Sequence, residues 1–216
     1  MCIRDRPNGL KIDVMPPFYS KPYVMMTLSL MKKFGIKYDL SEDSISINNQ
    51  EYKSGSYKVE SDWSAASYWY SFISINKKLK EIKLKGLREH SFQGDQVIKK
   101  IMTLFNVETL YDKDGIILRK KDFDCDYLEL DFKDCPDLAQ TVLVVAAFHK
   151  VKLKLYGVES LKIKETDRLK AMSNELKKIG VNFYDDNGVW TLDKRNNEFS
   201  NDCLLYTSPS PRDISR

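Results

Sequence analysis

The 216-residue sequence predicts an α/β fold built from repeated β-α-β-α-β-β units. Three observations carry that expectation. An amphipathic helix followed by a short strand, a polar turn and a second strand occurs three times. Two of those copies are preceded by a further strand, helix and strand. Turns rich in Asp, Asn and Gly separate alternating apolar runs, which is the signal of a hairpin.

The elements follow in order. The first copy has a helix near 21–34, a strand at Ile36-Lys37-Tyr38, the turn Ser41-Glu42-Asp43 and a strand at Ile45-Ser46-Ile47. The second opens on a strand at Tyr57-Lys58-Val59-Glu60, a helix from about Ser64 to Ile73 and a strand at Ile82-Lys83-Leu84, then Gly86. It continues with a helix near 95–105, Val107 to Leu110, the turn Asp112-Lys113-Asp114-Gly115, and Ile116 to Leu118. The third has a strand at Tyr127 to Leu130, a helix from Pro136 to Phe148 and a strand at Val151 to Tyr156, then Gly157. A helix over 165–179 follows, then Val181-Asn182-Phe183, the turn Asp185-Asp186-Asn187-Gly188, and Val189 to Leu192. The copies recur every 70–75 residues or about that, too long a period for a typical solenoid.

The run Lys164-Glu165-Thr166-Asp167-Arg168-Leu169 sets two cations and a carboxylate within one turn. Leu169, Met172, Leu176 and Ile179 have helical spacing and stop at Gly180. A helix starting at this run places Lys164 and Arg168 on one face, four residues apart. Its free N–H groups and dipole favour anions. A solvated helix start explains the six residues equally well.

Bulk properties exclude little. The composition is 42% hydrophobic and 31% charged with net charge +4, as expected of a globular chain of one large or two small domains. There is no basic stripe with interleaved aromatics, so no nucleic-acid partner is expected. With no apolar run of membrane-spanning length and no signal-like segment, no membrane partner is expected and the expected location is cytoplasmic. Cys125 and Cys135 lack metal-ligand spacing and read as reduced thiols, and the chain has only two His, so no zinc site is expected.

Both ends read as foreign. Met1-Cys2-Ile3-Arg4-Asp5 is encoded by ATG-TGT-ATA-AGA-GAC, and Cys203-Leu204-Leu205-Tyr206-Thr207-Ser208 by TGT-CTC-TTA-TAC-ACA-TCT. The two strings are reverse complements over most of their length and resemble the mosaic-end adapter of transposon-based sequencing libraries. Residues 1–6 and 203–216 are therefore expected to be adapter translation and are set aside from fold reasoning.

The repeat unit with Lys164 to Leu169 in its second helix resembles the EPSP (5-enolpyruvylshikimate-3-phosphate) synthase family. Ser20-Lys21-Pro22-Tyr23 with Met26-Thr27-Leu28, the stretch Tyr57 to Tyr68, Ser91-Phe92-Gln93-Gly94-Asp95, and Pro136-Asp137 agree in order and approximate spacing. The resemblance implies an enolpyruvyl transferase-like inside-out α/β barrel, present here incompletely. Residues 7–56 would close a first domain, and 57–195 would be two of the three units of a second. A full-length member is about twice this long. Its upstream Lys-Ser…Arg, Asn-Ala-Gly-Thr and Ser-Ser-Gln segments and its late His-Arg and Lys lie outside residues 7–202, so the chain by itself is expected to be inactive.

The implied reaction transfers the enolpyruvyl group of phosphoenolpyruvate to the 5-hydroxyl of shikimate-3-phosphate and releases phosphate. It needs a base for the hydroxyl, an acid for the methylene carbon, and cations for phosphates and carboxylates; the resemblance implies no metal and no cofactor. By resemblance Asp137 is the candidate base, although an aspartate after proline also suits helix capping. Glu165 is the candidate acid, a role that requires a raised pKa which Lys164 and Arg168 oppose. Arg168 offers a planar fork to a carboxylate and Lys164 a point charge. Ser20, Lys21 and Tyr23 are expected on the shikimate side, as is Ser160, which stands where some members have Asn. Tyr23 could equally be a core residue. Asp167 braces Arg168 or caps the helix, Gln93 and Asp95 fix a helix start, and Trp63, Trp69 and Tyr70 pack in or around the core. The expected partners are the two small-molecule substrates, with the protein a monomer. The rival readings are the sister transferase acting on UDP-N-acetylglucosamine and a non-catalytic α/β repeat domain.

Overall fold

The computed structural model describes residues 8–193. The ends expected to be adapter translation lie outside the described residues, as do residues 194 and 195.

The N-terminal part contains β1 (Leu10–Asp13), α1 (Lys21–Lys33), β2 (Asp39–Leu40) and β3 (Ser44–Ile47). They form an antiparallel sheet of order β1-β3-β2. Leu28 and Met31 of α1 pack on Ile36, Ile45 and Ile47, a small core separate from the main one. β1 has no counterpart in the sequence reading. The strand expected at Ile36–Tyr38 starts later, at Asp39. The Gln50 side chain explains the shift: its Oε1 accepts the Lys37 N–H (2.8 Å) and its Nε2 donates to the Lys37 carbonyl (2.7 Å). Both backbone groups are thereby satisfied without a neighbouring strand.

The first unit contains α2 (Trp63–Ile75), β4 (Glu81–Lys85), α3 (Ile98–Thr103), β5 (Val107–Asp112) and β6 (Gly115–Lys120). Its sheet runs β4-β6-β5, antiparallel throughout. Asp62 caps α2, accepting from the N–H groups of Ser64 and Ala65. The helix expected over 95–105 is a 3-10 turn, Gly94–Val97, running into α3. The strand expected at Tyr57–Glu60 does not form. Side chains hold the carbonyls that a ladder would use: Ser61 Oγ donates to Lys85 (2.9 Å) and the Arg88 guanidinium to Lys58 (2.8 Å).

The second unit contains β7 (Tyr127–Asp131), a 3-10 turn at Pro136–Leu138, α4 (Ala139–His149) and β8 (Lys152–Tyr156). A 3-10 turn at Glu159–Ile163, α5 (Arg168–Lys178), β9 (Phe183–Asp186) and β10 (Val189–Leu192) follow. The sheet runs β7-β8-β10-β9, with β7 parallel to β8 and the other pairs antiparallel. The helix expected over 165–179 starts only at Arg168. Asp167 adopts the extended cap conformation and accepts the Lys170 N–H, and Lys164 is extended, so Lys164 and Glu165 precede the helix.

One apolar core joins the two units. α2 and α4 lie together at its centre, where Ser67 Oγ and Thr141 Oγ1 share a buried hydrogen bond. α4 is apolar nearly all round; Val142, Leu143, Val145 and Ala146 are buried, while Val144 and Phe148 lie on a face open to solvent. Trp63 and Tyr70 are fully buried, whereas Trp69 is half exposed beside Phe72, contrary to expectation. α2 turns Trp63, Ala66, Tyr70 and Ile73 inward, and Trp69 falls on its other face. No helix among the described residues is long and apolar enough to cross a membrane.

Candidate active site

The sheet of the second unit brings two chain segments to one edge. β7 delivers the chain to Pro136-Asp137, and β8 delivers it through Gly157 to the turn before α5. Gly157 has φ +68°, and a Cβ there would meet Asp131 Oδ1 and the Lys133 backbone. Glycine is therefore what lets the two segments leave the sheet side by side.

Asp137 does not cap the helix it opens; no side-chain cap bond forms at that start. Its Oδ1 instead accepts from Arg168 Nη1 at 2.9 Å and lies 3.6 Å from Lys164 Nζ. The second nitrogen of the fork, Arg168 Nη2, donates to Glu165 Oε2 at 2.7 Å. Lys164 and Arg168 thus converge on one carboxylate, although not along one helix face. The Arg168 side chain is 24% exposed, Lys164 32%, Asp137 34% and Glu165 68%. A pair as open as Asp137–Arg168 contributes on the order of 1 kcal/mol or less, so an incoming anion can displace it.

The charge environment acts on Glu165 in the direction opposite to that expected of an acid. The hydrogen bond from Arg168 holds its carboxyl below the ordinary glutamate value, helped by a backbone hydrogen bond and by the Arg168 and Lys164 charges. Arg168 is lowered by partial burial, but Glu165 and Asp137 outweigh that and its net shift is upward. Glu165 is therefore ionised in this arrangement, the net shift being downward.

The remaining sequence candidates fall around this cluster. The Ser20 N–H donates to the carbonyl of Lys133 (3.1 Å), so Ser20 docks on the segment that leads from β7 to Asp137. Lys21 is exposed at the first position of α1. The Tyr23 hydroxyl donates to Asp95 Oδ1 at 2.7 Å. Burial first and Asp95 second push its pKa well above the ordinary tyrosine value, so it stays protonated. Ser160 lies in the 3-10 turn next to α5, and its Oγ is buried with no hydrogen-bond partner among the described residues.

Asp95, expected to fix a helix start, makes no cap bond there and is instead a buried polar group near the site. Asp95 is 1% exposed, and its other oxygen accepts the Ser64 hydroxyl. Cys135, two residues before Asp137, is also buried; its thiol is pushed up to about 12 by burial and then by Asp95, Asp134 and Asp131, which makes it an unreactive packing group.

The comparisons agree with this picture. The family described as EPSP synthase (3-phosphoshikimate 1-carboxyvinyltransferase) matches residues 6–198. The 3-phosphoshikimate 1-carboxyvinyltransferase of Bacteroides fragilis is 41% identical over 181 residues, covering 83% of this chain and 44% of the relative. That of Methanocaldococcus jannaschii is 36% identical, covering 79% and 39%. The chain thus spans less than half the length of these relatives. Among solved structures, EPSP synthase from Acinetobacter baumannii has a TM-score of 0.63 at 18% identity, covering 86% of this chain and 43% of that one. The enolpyruvyl transferase NikO from Streptomyces tendae has a TM-score of 0.53 at 10% identity, covering 85% and 42%. These likenesses give the fold as enolpyruvyl transferase-like; among the described residues it is an open set of three sheets and not a closed barrel. The matched span contains the Asp137–Lys164–Glu165–Arg168 cluster, and the chain belongs to the EPSP synthase family.

Proposed function

We propose that this chain carries one wall of the active site of a 3-phosphoshikimate 1-carboxyvinyltransferase. The enzyme would move the enolpyruvyl group of phosphoenolpyruvate to the 5-hydroxyl of shikimate-3-phosphate and release phosphate. The observation that carries the reading is the Arg168 fork, held between Asp137 and Glu165 with Lys164 beside it. Two cations balance two carboxylates there, so an anionic substrate can enter only by exchanging with a carboxylate. A phosphoenolpyruvate carboxylate taking the fork bidentately displaces both acids at once. Asp137 is then free to accept the proton of the 5-hydroxyl. Glu165 loses the bond that depresses its pKa and can protonate the methylene carbon. Ser20, Lys21 and Ser160 would hold shikimate-3-phosphate, with Tyr23 supporting Ser20.

We further propose that residues 7–56, whose described part has its own small core, end one domain and that 57–195 form two of three units of another, in a longer polypeptide. The relatives named above favour shikimate-3-phosphate over a UDP-sugar acceptor, and the exposed ion cluster favours an enzyme over a structural repeat. Monomeric state and a cytoplasmic location fit the same reading. The test is turnover: the intact gene product should release phosphate from the two substrates together and from neither alone. Phosphate release with UDP-N-acetylglucosamine in place of shikimate-3-phosphate would overturn the acceptor assignment.

A further inference from the structure

The triplet Gln93-Gly94-Asp95 opens the 3-10 turn before α3 and takes no part in the cluster just described. All three residues contact other elements. Gln93 Oε1 accepts the Trp63 N–H (2.8 Å) and its Nε2 donates to the Ser61 carbonyl (2.9 Å), which fixes the turn to the start of α2. A Cβ on Gly94 would stand 2.5 Å from Pro22 Cβ, so only glycine admits α1 at this distance. Asp95 accepts the hydroxyls of Tyr23, 72 residues away, and Ser64, 31 residues away. The same end of α1 is anchored to the second unit by the Ser20 N–H on the Lys133 carbonyl.

We propose that Asp95 is a positioning residue: through Tyr23 it docks the N-terminus of α1, and with it Ser20, beside the Asp137–Arg168 cluster. Ser20 has φ 55° and no side-chain cap bond, so within α1 this end is held only by the Tyr23 N–H on the Ser20 carbonyl (3.0 Å). Its placement comes from the Lys133 carbonyl on one side and the Tyr23–Asp95 bond on the other. A carboxylate this buried is costly unless both oxygens are engaged. Burial, and more weakly the Asp137 and Asp62 charges, raise the Asp95 pKa, while the two hydroxyls lower it. The two hydroxyl donors are therefore what makes the charge tolerable, and the pair Tyr23–Asp95 acts as one unit.

This inference rests on the reading of Ser20 as a shikimate-3-phosphate contact, and the experiment separates the two. In the intact gene product, Tyr23→Phe and Asp95→Asn should each raise KM for shikimate-3-phosphate about tenfold, as expected of a misplaced binding group, with KM for phosphoenolpyruvate unchanged. The double variant should be no worse than the poorer single one. Tyr23→Phe removes a single hydroxyl from a half-buried position and should fold. Additive effects, or Michaelis constants within twofold of wild type, would overturn the proposal. If the wild-type product turns over neither substrate, the enzymatic reading fails, and amide exchange in the 216-residue chain decides about the latch alone. Exchange at Ser20 about tenfold faster in Asp95→Asn than in wild type supports it, and unchanged exchange sinks it.

Discussion

The two β-α-β-α-β-β units share a scaffold and use it differently. At the start of the first helix, the first unit places Asp62, whose carboxylate caps α2. At the same place the second unit has Asp137, which caps nothing and accepts from Arg168. At the start of the second helix, the first unit has Gln93-Gly94-Asp95, with Asp95 buried and turned to Tyr23 and Ser64. The second unit has Lys164 to Arg168, with the cap left to Asp167 and the cations and Glu165 turned outward. One unit turns the carboxylates at its helix starts to hydrogen bonds within the fold. The other leaves them in weak, exchangeable ion pairs at the surface. Similar element order therefore yields scaffold in one copy and candidate chemistry in the other, and at the helix starts the difference lies in which polar side chains remain available.

The largest effect that would test this contrast is on turnover. In the intact gene product, Asp137→Asn should lower kcat by ~10³-fold, within the range for a general base, and should leave the unfolding midpoint of the 216-residue chain near wild type. Wild-type turnover in Asp137→Asn would remove the base. Glu165→Gln should likewise cut kcat by about 10²-fold or more while the unfolding midpoint stays unchanged, because its side chain is exposed.

The matching change in the first unit should do the reverse. Asp62→Ala removes a cap that serves two N–H groups and should cost about 1 kcal/mol of stability, read from urea unfolding of the chain. At matched folded fraction the intact product should keep kcat within twofold of wild type, by analogy with other cap losses of this size. A large kcat loss at full folding would mean that the units are not divided as described.

A third effect concerns the contact between the units. Ser74 of α2 and His149 of α4 share a hydrogen bond of 2.8 Å, and the imidazole lies against Phe123 and Phe105. Burial first and the Lys120 charge second lower its pKa, while a hydrogen bond to the Ser74 backbone opposes them. With the folded pKa below the unfolded one, the unfolded chain binds the extra proton. The stability tied to neutral His149 is therefore complete above the unfolded value of about 6.5 and declines as pH falls toward the folded one. Wild type should lose more stability than His149→Gln between pH 7 and pH 5.5; parallel losses would exclude His149 as the titrating group.

Much of this arrangement is legible in the sequence. Hairpins announced by Asp-Gly and Asn-Gly turns appear where expected at Asp112–Gly115 and Asp185–Gly188, since turn chemistry is local. The cluster was legible only through the repeat and the resemblance, because ion pairs between Asp137 and Arg168 span 31 residues. The helical placement of Lys164 failed because Asp167 is itself a good cap and starts the helix later. Burial of Asp95 was invisible: nothing in Gln-Gly-Asp says that two distant hydroxyls will meet it. The facing of Trp69 was equally hidden, since α2 is apolar on several faces and offers no single stripe.

The smallest expected effect lies in the one strand that the units do not share. Tyr127–Asp131 forms β7, in register with β8, whose Leu153 and Leu155 are fully buried. Tyr57–Glu60 follows the same course, with the Ser61 N–H on the Gly86 carbonyl (2.9 Å) as the Phe132 N–H is on Tyr156 (2.8 Å). It then stands off from β4 over an open groove of ≈ 680 Å³ bounded by Lys58, Val59, Lys85 and Arg88. Val59 is 78% exposed, and so gains nothing from apolar burial that would hold a strand in place. Amides at Lys58 to Glu60 should therefore exchange ~10²-fold or more faster than those at Leu128 to Leu130, with no change in global unfolding. Equal protection in both segments would show that a side-chain-held extended segment is as fixed as a paired strand. The contrast between the units would then be confined to their helix starts.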